Sequence, residues 1–305
     1  MEILYFLQSI RNPVLDAIML TVTRLGEETA FLVLALIVFW CVDKRKGYYI
    51  MSIGFIGTVT SQFMKLACRI PRPWVLDENF TVVGDAKEAA TGYSFPSGHS
   101  QSGVGTLGGI AAVTKTKWLK ITCIVLAVLI PFSRMYLGVH TPADVLVGSG
   151  LALILIFALK PVIFKGGDKA MWILIGSMLA LAVAFLCYVE FFPFPADMDP
   201  HNMESGVKNA YTLLGCLLGV CLVYALDSKW LNFQTDAIWW AQILKALLGL
   251  GVVLLVKEGM RAPLEWLFNG HLASRAARYF LVVVTAGTLW PLSFPWFAKL
   301  GKKEK

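Results

Sequence analysis

Residues 133–163 read SRMYLGVHTPADVLVGSGLALILIFALKPVI, a polar segment followed directly by a long apolar run. A helix crosses the core of a bilayer with about 20 mostly apolar residues, and residues 142–163 approach that requirement. Thr141 is suited to the N-cap position and Pro142 to the first helical position. The stretch therefore predicts a membrane-spanning helix with His140 at its entrance.

The composition of the whole chain agrees with a membrane protein. Hydrophobic residues make up 57% of the 305 residues and charged residues 15%, with a mean hydropathy of +0.67. These values lie outside the range of ordinary soluble domains. The sequence predicts an all-α polytopic membrane helix bundle with about eight or nine spanning helices. We place them near residues 27–43, 47–67, 98–115, 119–137, 142–163, 170–190, 208–226, 238–257 and 277–298.

The N-terminal residues follow a different pattern. Polar and helix-breaking residues interrupt an amphipathic apolar pattern there, which favours a pair of helices lying in the membrane interface. A single, poorly apolar spanning helix is the alternative. The interrupting residues are Arg11, Asn12, Pro13, Asp16 and Arg24.

We expect three parts along the chain: an interfacial segment over 1–26, a core bundle over 27–165, and additional helices of unknown role over 166–305. Short basic loops alternate with the predicted helices and indicate the cytoplasmic side. They contain Lys44 to Lys46, Lys115 to Lys120, Lys165 to Lys169 and Lys299 to Lys305. The loop 68–96 and the turn 138–141 then lie on the extracytoplasmic face.

The net charge of +7 comes mostly from these basic loops, which are attracted to anionic lipid headgroups. Nucleic acid is not an expected partner, because no soluble basic surface is present. The six cysteines form no CxxC pair, and packing is their expected role.

His140 and Asp144 have a spacing with a chemical meaning. Asp144 lies one helical turn beyond His140, where its carboxylate is able to accept a hydrogen bond from one ring nitrogen. That bond fixes the tautomer and leaves the other nitrogen to attack phosphorus. Alternatively, Asp144 only complements the dipole at the helix start.

A second histidine lies in the segment Ser97-Gly98-His99, at the predicted start of another apolar helix. Free backbone N–H groups at a helix start bind phosphate oxygens. Ser97 is suited to cap the helix or bind the same oxygens, and Gly98 allows close approach of the backbone. His99 is suited to protonate a leaving oxygen. A simple cap and turn is the alternative.

Three cations stand beside these segments: Lys65, Arg72 and Arg134. The planar guanidinium group of arginine binds two phosphate oxygens at once, and lysine supplies a compact charge. Each alone is explained by a side chain reaching from a helix end towards water. Together with two histidines they indicate a phosphate site.

The segments Lys65 to Pro73, Pro96 to His99 and Ser133 to Asp144 resemble the three signatures of the type 2 phosphatidic acid phosphatase family. This resemblance covers roughly residues 25–165. It implies a phosphatase that needs no metal and no cofactor, in which His140 becomes phosphorylated, Asp144 supports it and His99 protonates the leaving group. It also implies a set of residues that bind the phosphate oxygens: Lys65, Arg72, Ser97, Gly98, Ser133 and Arg134.

A site at the outer leaflet favours a substrate with a phosphorylated head and an apolar tail. We expect a lipid phosphate or diphosphate, with a polyprenyl diphosphate such as undecaprenyl diphosphate first and phosphatidylglycerol phosphate or phosphatidic acid as alternatives. Membrane lipids are the expected surroundings, in a bacterial inner membrane, and the sequence leaves the oligomeric state open. A lipid-binding or transport protein that carries a phosphatase module is the alternative from another class.

Overall fold

The computed structural model describes residues 1–196 and 198–300, so Asp197 and the end of the lysine-rich tail, 301–305, lie outside it. The chain is about 80% helical, without a strand in the described ranges. The first seven helices are α1 Glu2–Ser9, α2 Pro13–Arg24, α3 Glu28–Cys41, α4 Lys44–Cys68, α5 Pro73–Leu76, α6 Gly98–Val113 and α7 Lys117–Tyr136. The next seven are α8 Pro142–Lys165, α9 Gly167–Phe191, α10 Pro200–Leu226, α11 Trp239–Gly259, α12 Arg261–Leu267, α13 Ala273–Val284 and α14 Phe294–Lys299.

The predicted all-α membrane bundle is confirmed, and helices occupy all nine predicted segments. Among the described residues, six helices are long and apolar enough to cross a membrane. Of the other three, α3 has 14 residues and α6 has 16. The third, α4, has 25 residues but is less apolar, with Thr58, Thr60, Ser61 and Gln62 along it.

The N-terminal pair of helices is confirmed as α1 and α2, of 8 and 12 residues. Both are too short to cross a bilayer, which needs about 20 residues. Asn12 caps α2, because its side chain accepts a hydrogen bond from the Leu15 N–H at 3.0 Å, and Pro13 follows at the first helical position. The residues that interrupt the apolar pattern therefore start the second helix.

The chain divides into two compact units. The first contains residues 1–32, 49–161 and 193–206, and α6 lies at its centre, with Ser100 to Leu107 all buried. Glycines allow its neighbours to approach closely. A Cβ on Gly57 of α4 would clash with the Gln101 side chain, and one on Gly148 of α8 would lie 2.5 Å from the Ser97 carbonyl oxygen. The low hydropathy of α6 is tolerated because protein, rather than lipid, surrounds it.

The second unit contains residues 33–48, 162–192 and the chain from 207 onward. Trp40 donates its ring N–H to the Ala286 carbonyl at 2.8 Å, and Lys44 forms an ion pair with Asp227 at 2.9 Å. A Cβ on Gly215 of α10 would lie 2.1 Å from the Ala276 carbonyl oxygen of α13. Small residues and tryptophans thus hold this unit together. The predicted boundaries at 26 and 165 stay a prediction.

Candidate active site

The His140 loop connects α7 to α8. It turns at Gly138, which has φ +84°, a conformation that glycine adopts without strain. A Cβ there would lie 2.8 Å from the Phe80 ring and 2.9 Å from the Thr81 carbonyl oxygen. The turn is therefore packed too closely for a larger residue, and it leaves the His140 side chain only 2% exposed.

Asp144 starts α8 as the sequence predicts. The Thr141 hydroxyl accepts a hydrogen bond from the Asp144 N–H at 3.3 Å, and Asp144 Oδ2 accepts one from the Thr141 N–H at 2.7 Å. This reciprocal arrangement satisfies two backbone groups at the helix start. Asp144 Oδ2 also lies 3.4 Å from His140 Nδ1, with both side chains buried. The carboxylate is thus fixed beside the ring nitrogen.

The other ring nitrogen of His140, Nε2, lies 3.1 Å from Arg72 Nη1. A guanidinium group only donates hydrogen bonds, so Nε2 accepts, and its lone pair is free of a proton. The proton of the neutral ring is then on Nδ1, beside Asp144.

Arg72 also binds the backbone of the loop around the site. It donates to the carbonyl oxygens of Thr91 at 2.7 Å, Gly92 at 3.0 Å and Val139 at 3.1 Å. Lys65 donates to the Tyr93 carbonyl oxygen of the same loop. Both cations therefore anchor the loop that precedes Ser97, and Arg72 also contacts the histidine.

Arg134 is 1% exposed. Its Nη1 donates to the Thr23 hydroxyl at 2.7 Å, whereas Nε and Nη2 are buried without a hydrogen-bond partner among the described residues. Buried donors without partners cost free energy unless a ligand satisfies them. The Arg134 side chain therefore presents unused N–H groups of the kind that bind an anion.

Ser97 caps α6. Its hydroxyl accepts a hydrogen bond from the Ser100 N–H at 3.3 Å, and its own N–H donates to the Asp144 carbonyl oxygen at 3.0 Å. The next two residues, Gly98 and His99, form the first turn of α6. Beside Gly98 there is open space, because no atom lies within 4 Å of a Cβ placed there. The start of α6 thus lies next to the start of α8 and is open to a ligand.

The hydroxyl of Ser133, which the sequence predicts to bind phosphate oxygens, instead bonds within its own helix. It is fully buried and donates to the Ile130 carbonyl oxygen at 2.6 Å, within its own helix. A serine in a helix often makes this bond. The hydroxyl would have to rotate before it could donate to a phosphate oxygen.

The electrostatics of the site favour a neutral His140. Burial lowers its pKa well below the ordinary value of 6.5, and the charges of Arg72, Arg134, Lys65 and His99 lower it further. Burial also lowers the pKa of Arg72, to about 10, while Asp144 opposes this shift. At neutral pH the imidazole is therefore unprotonated and the guanidinium remains charged.

Besides these backbone contacts, the side chains of two residues outside the predicted segments hydrogen-bond to predicted site residues. Ser94 donates its hydroxyl proton to Asp144 at 2.6 Å, and Thr23 accepts from Arg134. Ser94 lies three positions before Ser97, and Thr23 lies on α2, far away in sequence. No pattern in the sequence marks either residue, because their roles depend on tertiary packing.

Two family models match the chain. The PAP2 superfamily model matches residues 45–168. The model of the PAP2 superfamily phosphatase transmembrane extension matches residues 211–303. No solved structure matches the chain.

Three curated proteins are similar to part of the chain. The undecaprenyl-diphosphatase of Sulfolobus acidocaldarius is 32% identical over 138 residues, 44% of this chain and 64% of that protein. Undecaprenyl-diphosphatase BcrC of Bacillus subtilis is 30% identical, over 48% of this chain and 74% of that protein. Phosphatidylglycerophosphatase B of Bacillus subtilis is 31% identical, over 50% and 76%.

The first model covers the part of the chain that carries the three signatures, and the second covers most of the helices that follow. Two of the relatives are at least 30% identical to the chain over more than two thirds of their own length. The chain therefore belongs to the PAP2 superfamily, as a polytopic helical membrane protein with the transmembrane extension of that superfamily in its C-terminal part.

Proposed function

We propose that this chain is an integral membrane phosphatase that hydrolyses a lipid phosphate or diphosphate through a phosphohistidine. One observation carries the proposal. His140 Nε2 has a lone pair and lies 3.1 Å from Arg72, in a buried setting where Arg134 holds unused donors. A nucleophile among fixed cations is suited to a phosphoryl group, whose transition state spreads negative charge over its oxygens.

The reaction has two steps. In the first, the Nε2 lone pair attacks phosphorus, the bond to the leaving oxygen breaks, and His99 gives that oxygen a proton. In the second, water attacks phosphorus and loses a proton to His99, and the P–N bond breaks so that its electron pair returns to Nε2. The negative charge of the bound phosphoryl group stabilises the protonated His99 that the first step requires.

The phosphoryl oxygens would lie among the predicted phosphate-binding residues. Arg134 offers Nε and Nη2, and the start of α6 offers the backbone N–H groups of Gly98 and His99. The charges of Lys65 and Arg72 act on His140, the residue that would bond to the phosphoryl group. Cations of the protein stabilise the charge in this proposal, and no metal ion takes part.

We propose a polyprenyl diphosphate, such as undecaprenyl diphosphate, as the substrate, with the site open to the extracytoplasmic face of a bacterial inner membrane. Two relatives are named undecaprenyl-diphosphatases. Phosphatidylglycerol phosphate is the second candidate, because a third relative is a phosphatidylglycerophosphatase. Residues 27–165 would form the catalytic bundle, and the helices after residue 165 would contact the lipid tail or the surrounding membrane.

The test is phosphate release by the purified protein in detergent with EDTA present. Undecaprenyl diphosphate, phosphatidylglycerol phosphate and phosphatidic acid are compared, with His140→Ala and His99→Ala as variants. We expect EDTA-resistant release from at least one lipid, fastest from the diphosphate, and near-complete loss in His140→Ala. Release that EDTA abolishes, or a fully active His140→Ala, would contradict the mechanism. Release of no phosphate, with lipid bound instead, would favour a lipid-binding or transport protein.

A further inference from the structure

The side chain of Ser94 lies against both His140 and Asp144. It is fully buried, and it lies outside the three sequence segments that predict the site. Its backbone N–H donates to the Ile70 carbonyl oxygen at 2.9 Å, which fixes the residue independently of its hydroxyl. A change confined to the hydroxyl therefore leaves this anchor in place.

The hydroxyl contacts both His140 and Asp144. Ser94 Oγ donates to Asp144 Oδ2 at 2.6 Å and lies 3.4 Å from His140 Nδ1. Asp144 Oδ2 itself lies at the same 3.4 Å from Nδ1. The ring nitrogen thus faces two oxygens at equal distance, and a short hydrogen bond joins those oxygens to each other.

The positions of the protons follow from these partners. A serine hydroxyl has one proton and two lone pairs, and the short contact to the carboxylate uses the proton. The oxygen then presents a lone pair towards Nδ1. Because Nε2 accepts from Arg72, the proton of the ring is on Nδ1, where Ser94 and Asp144 are both able to accept it.

We propose that Ser94 is a positioning residue for the reaction, which acts through His140 and Asp144 and does not contact the phosphoryl group. Its hydroxyl holds the carboxylate in place and shares the Nδ1 proton, so that Nε2 is kept as the nucleophilic nitrogen. When Nε2 bonds to phosphorus, the ring becomes cationic. Ser94 and Asp144 then stabilise the positive Nδ1–H group from the side away from the substrate.

This inference rests on the proposed function, and it makes a specific kinetic prediction. In Ser94→Ala we expect kcat for the best lipid substrate to fall about 10- to 100-fold, as for the loss of an outer partner of a reacting histidine. We expect KM, and the inhibition constant of inorganic phosphate, to stay within about threefold, because the change lies behind the ring. The matched control is Ser102→Ala on α6, another buried serine, whose hydroxyl has no partner among the described residues. It should behave as wild type.

A double-mutant cycle separates positioning from general weakening of the structure. If Ser94 acts through Asp144, then the double variant Ser94→Ala, Asp144→Ala should have a kcat within about threefold of that of Asp144→Ala alone. An equal loss in both backgrounds would overturn the proposal, and so would a Ser94→Ala variant with wild-type kcat. Should Ser94→Ala prove unfolded in a thermal melt, Ser94→Thr, which keeps the hydroxyl, replaces it. A folded Thr variant with near-wild-type kcat supports the proposal, and one as slow as Asp144→Ala contradicts it.

These outcomes are distinct from failure of the proposed function. If the wild-type protein releases no phosphate from any of the lipids, the phosphatase proposal itself fails. If wild type is active, His140→Ala is inactive and Ser94→Ala is unaffected, the phosphatase proposal stands and only the role of Ser94 is lost.

Discussion

At the scale of single residues, the hydrogen-bond partners decide what each group is able to do. Arg72 donates to the carbonyl oxygens of Val139, Gly92 and Thr91 and to His140. Most of its N–H groups are therefore already used. Arg134 keeps two nitrogen atoms without partners among the described residues. We therefore expect Arg134 to bind a phosphoryl group most tightly, and Arg72 mainly to hold the loop in place.

Replacement of Arg134 by lysine tests this assignment. Lysine keeps the charge but loses the planar fork, so we expect kcat/KM to fall about 10²- to 10³-fold, as for the loss of a donor to a transition-state oxygen. Thr23→Val is the matched control, since it removes only the partner of Nη1 and should cost less than about tenfold. Phosphate release in detergent measures both. A Lys variant with the activity of wild type would remove Arg134 from the phosphate site.

The pH dependence of the reaction should reflect His140. Only the unprotonated ring has a lone pair, and burial with the neighbouring cations lowers the pKa of His140 well below 6.5. The acid limb of kcat/KM should therefore lie below pH 6.5, and activity should persist in mildly acidic solution. Substrates whose phosphate groups have different pKa values separate the ionisation of the lipid from that of the enzyme. An enzyme-derived acid limb above 6.5 would contradict the neutral histidine.

At the scale of helices, the N-terminal pair supports the catalytic loops. Arg11 lies between α1 and α2 and donates to the Tyr136 carbonyl oxygen at 3.0 Å and the Thr81 carbonyl oxygen at 2.9 Å. Asp16 of α2 accepts from the Tyr136 hydroxyl at 2.8 Å. After α2, Gly26 approaches the His99 carbonyl oxygen, to which a Cβ would lie at 2.9 Å. The helix pair therefore holds both histidine segments from the N-terminal side.

Arg11→Ala should loosen the turn that carries His140. Loss of these hydrogen bonds from a half-buried cation should lower the free energy of unfolding by about 1 to 2 kcal/mol and reduce kcat, since the Gly138 turn packs against Arg11. A thermal melt and phosphate release measure the two effects. Arg24→Ala is the control, because Arg24 is exposed at the end of α2. Equal behaviour of the two variants would show that α1 and α2 do not support the site.

At the scale of the whole molecule, the orientation in the membrane is read from the first unit, where the basic loop at Lys115 and the Ser97 cap lie at opposite ends of α6. α6 runs from the Ser97 cap to Val113, and the loop after it contains Lys115. Cys68 lies at the other end, where α4 runs into the loop before Arg72, and its side chain is exposed. The orientation predicted from the lysines is therefore testable at two accessible positions, Cys68 and Lys115.

Thiol labelling of intact cells tests that orientation. In a variant whose only cysteine is Cys68, a membrane-impermeant maleimide should label the protein from outside. In a cysteine-free variant with Lys115→Cys, labelling should require permeabilised membranes. Phosphate release confirms that both variants are folded. The reverse labelling pattern would place the site on the cytoplasmic side and contradict the proposed access of the substrate.

The sequence by itself determined the helical membrane class and the nine helical segments, and it predicts a candidate site from three short motifs. Apolar runs of spanning length and the starts of helices at Ser97 and Thr141 are local properties, which the solvent and the nearest neighbours in the chain impose. The three motifs are local as well, and they predict Lys65, Arg72, His99, Arg134, His140 and Asp144 as site residues.

Only the tertiary structure decided how these groups share their protons. The roles of Ser94, Thr23 and Arg11 depend on contacts between segments far apart in the sequence, and no local pattern encodes such contacts. The same reason explains α6, which is too short and too polar to satisfy a spanning criterion based on composition. Its residues are buried by α4, α7 and α8, and burial by neighbouring helices is a property of the packed unit, which the composition of one segment does not contain.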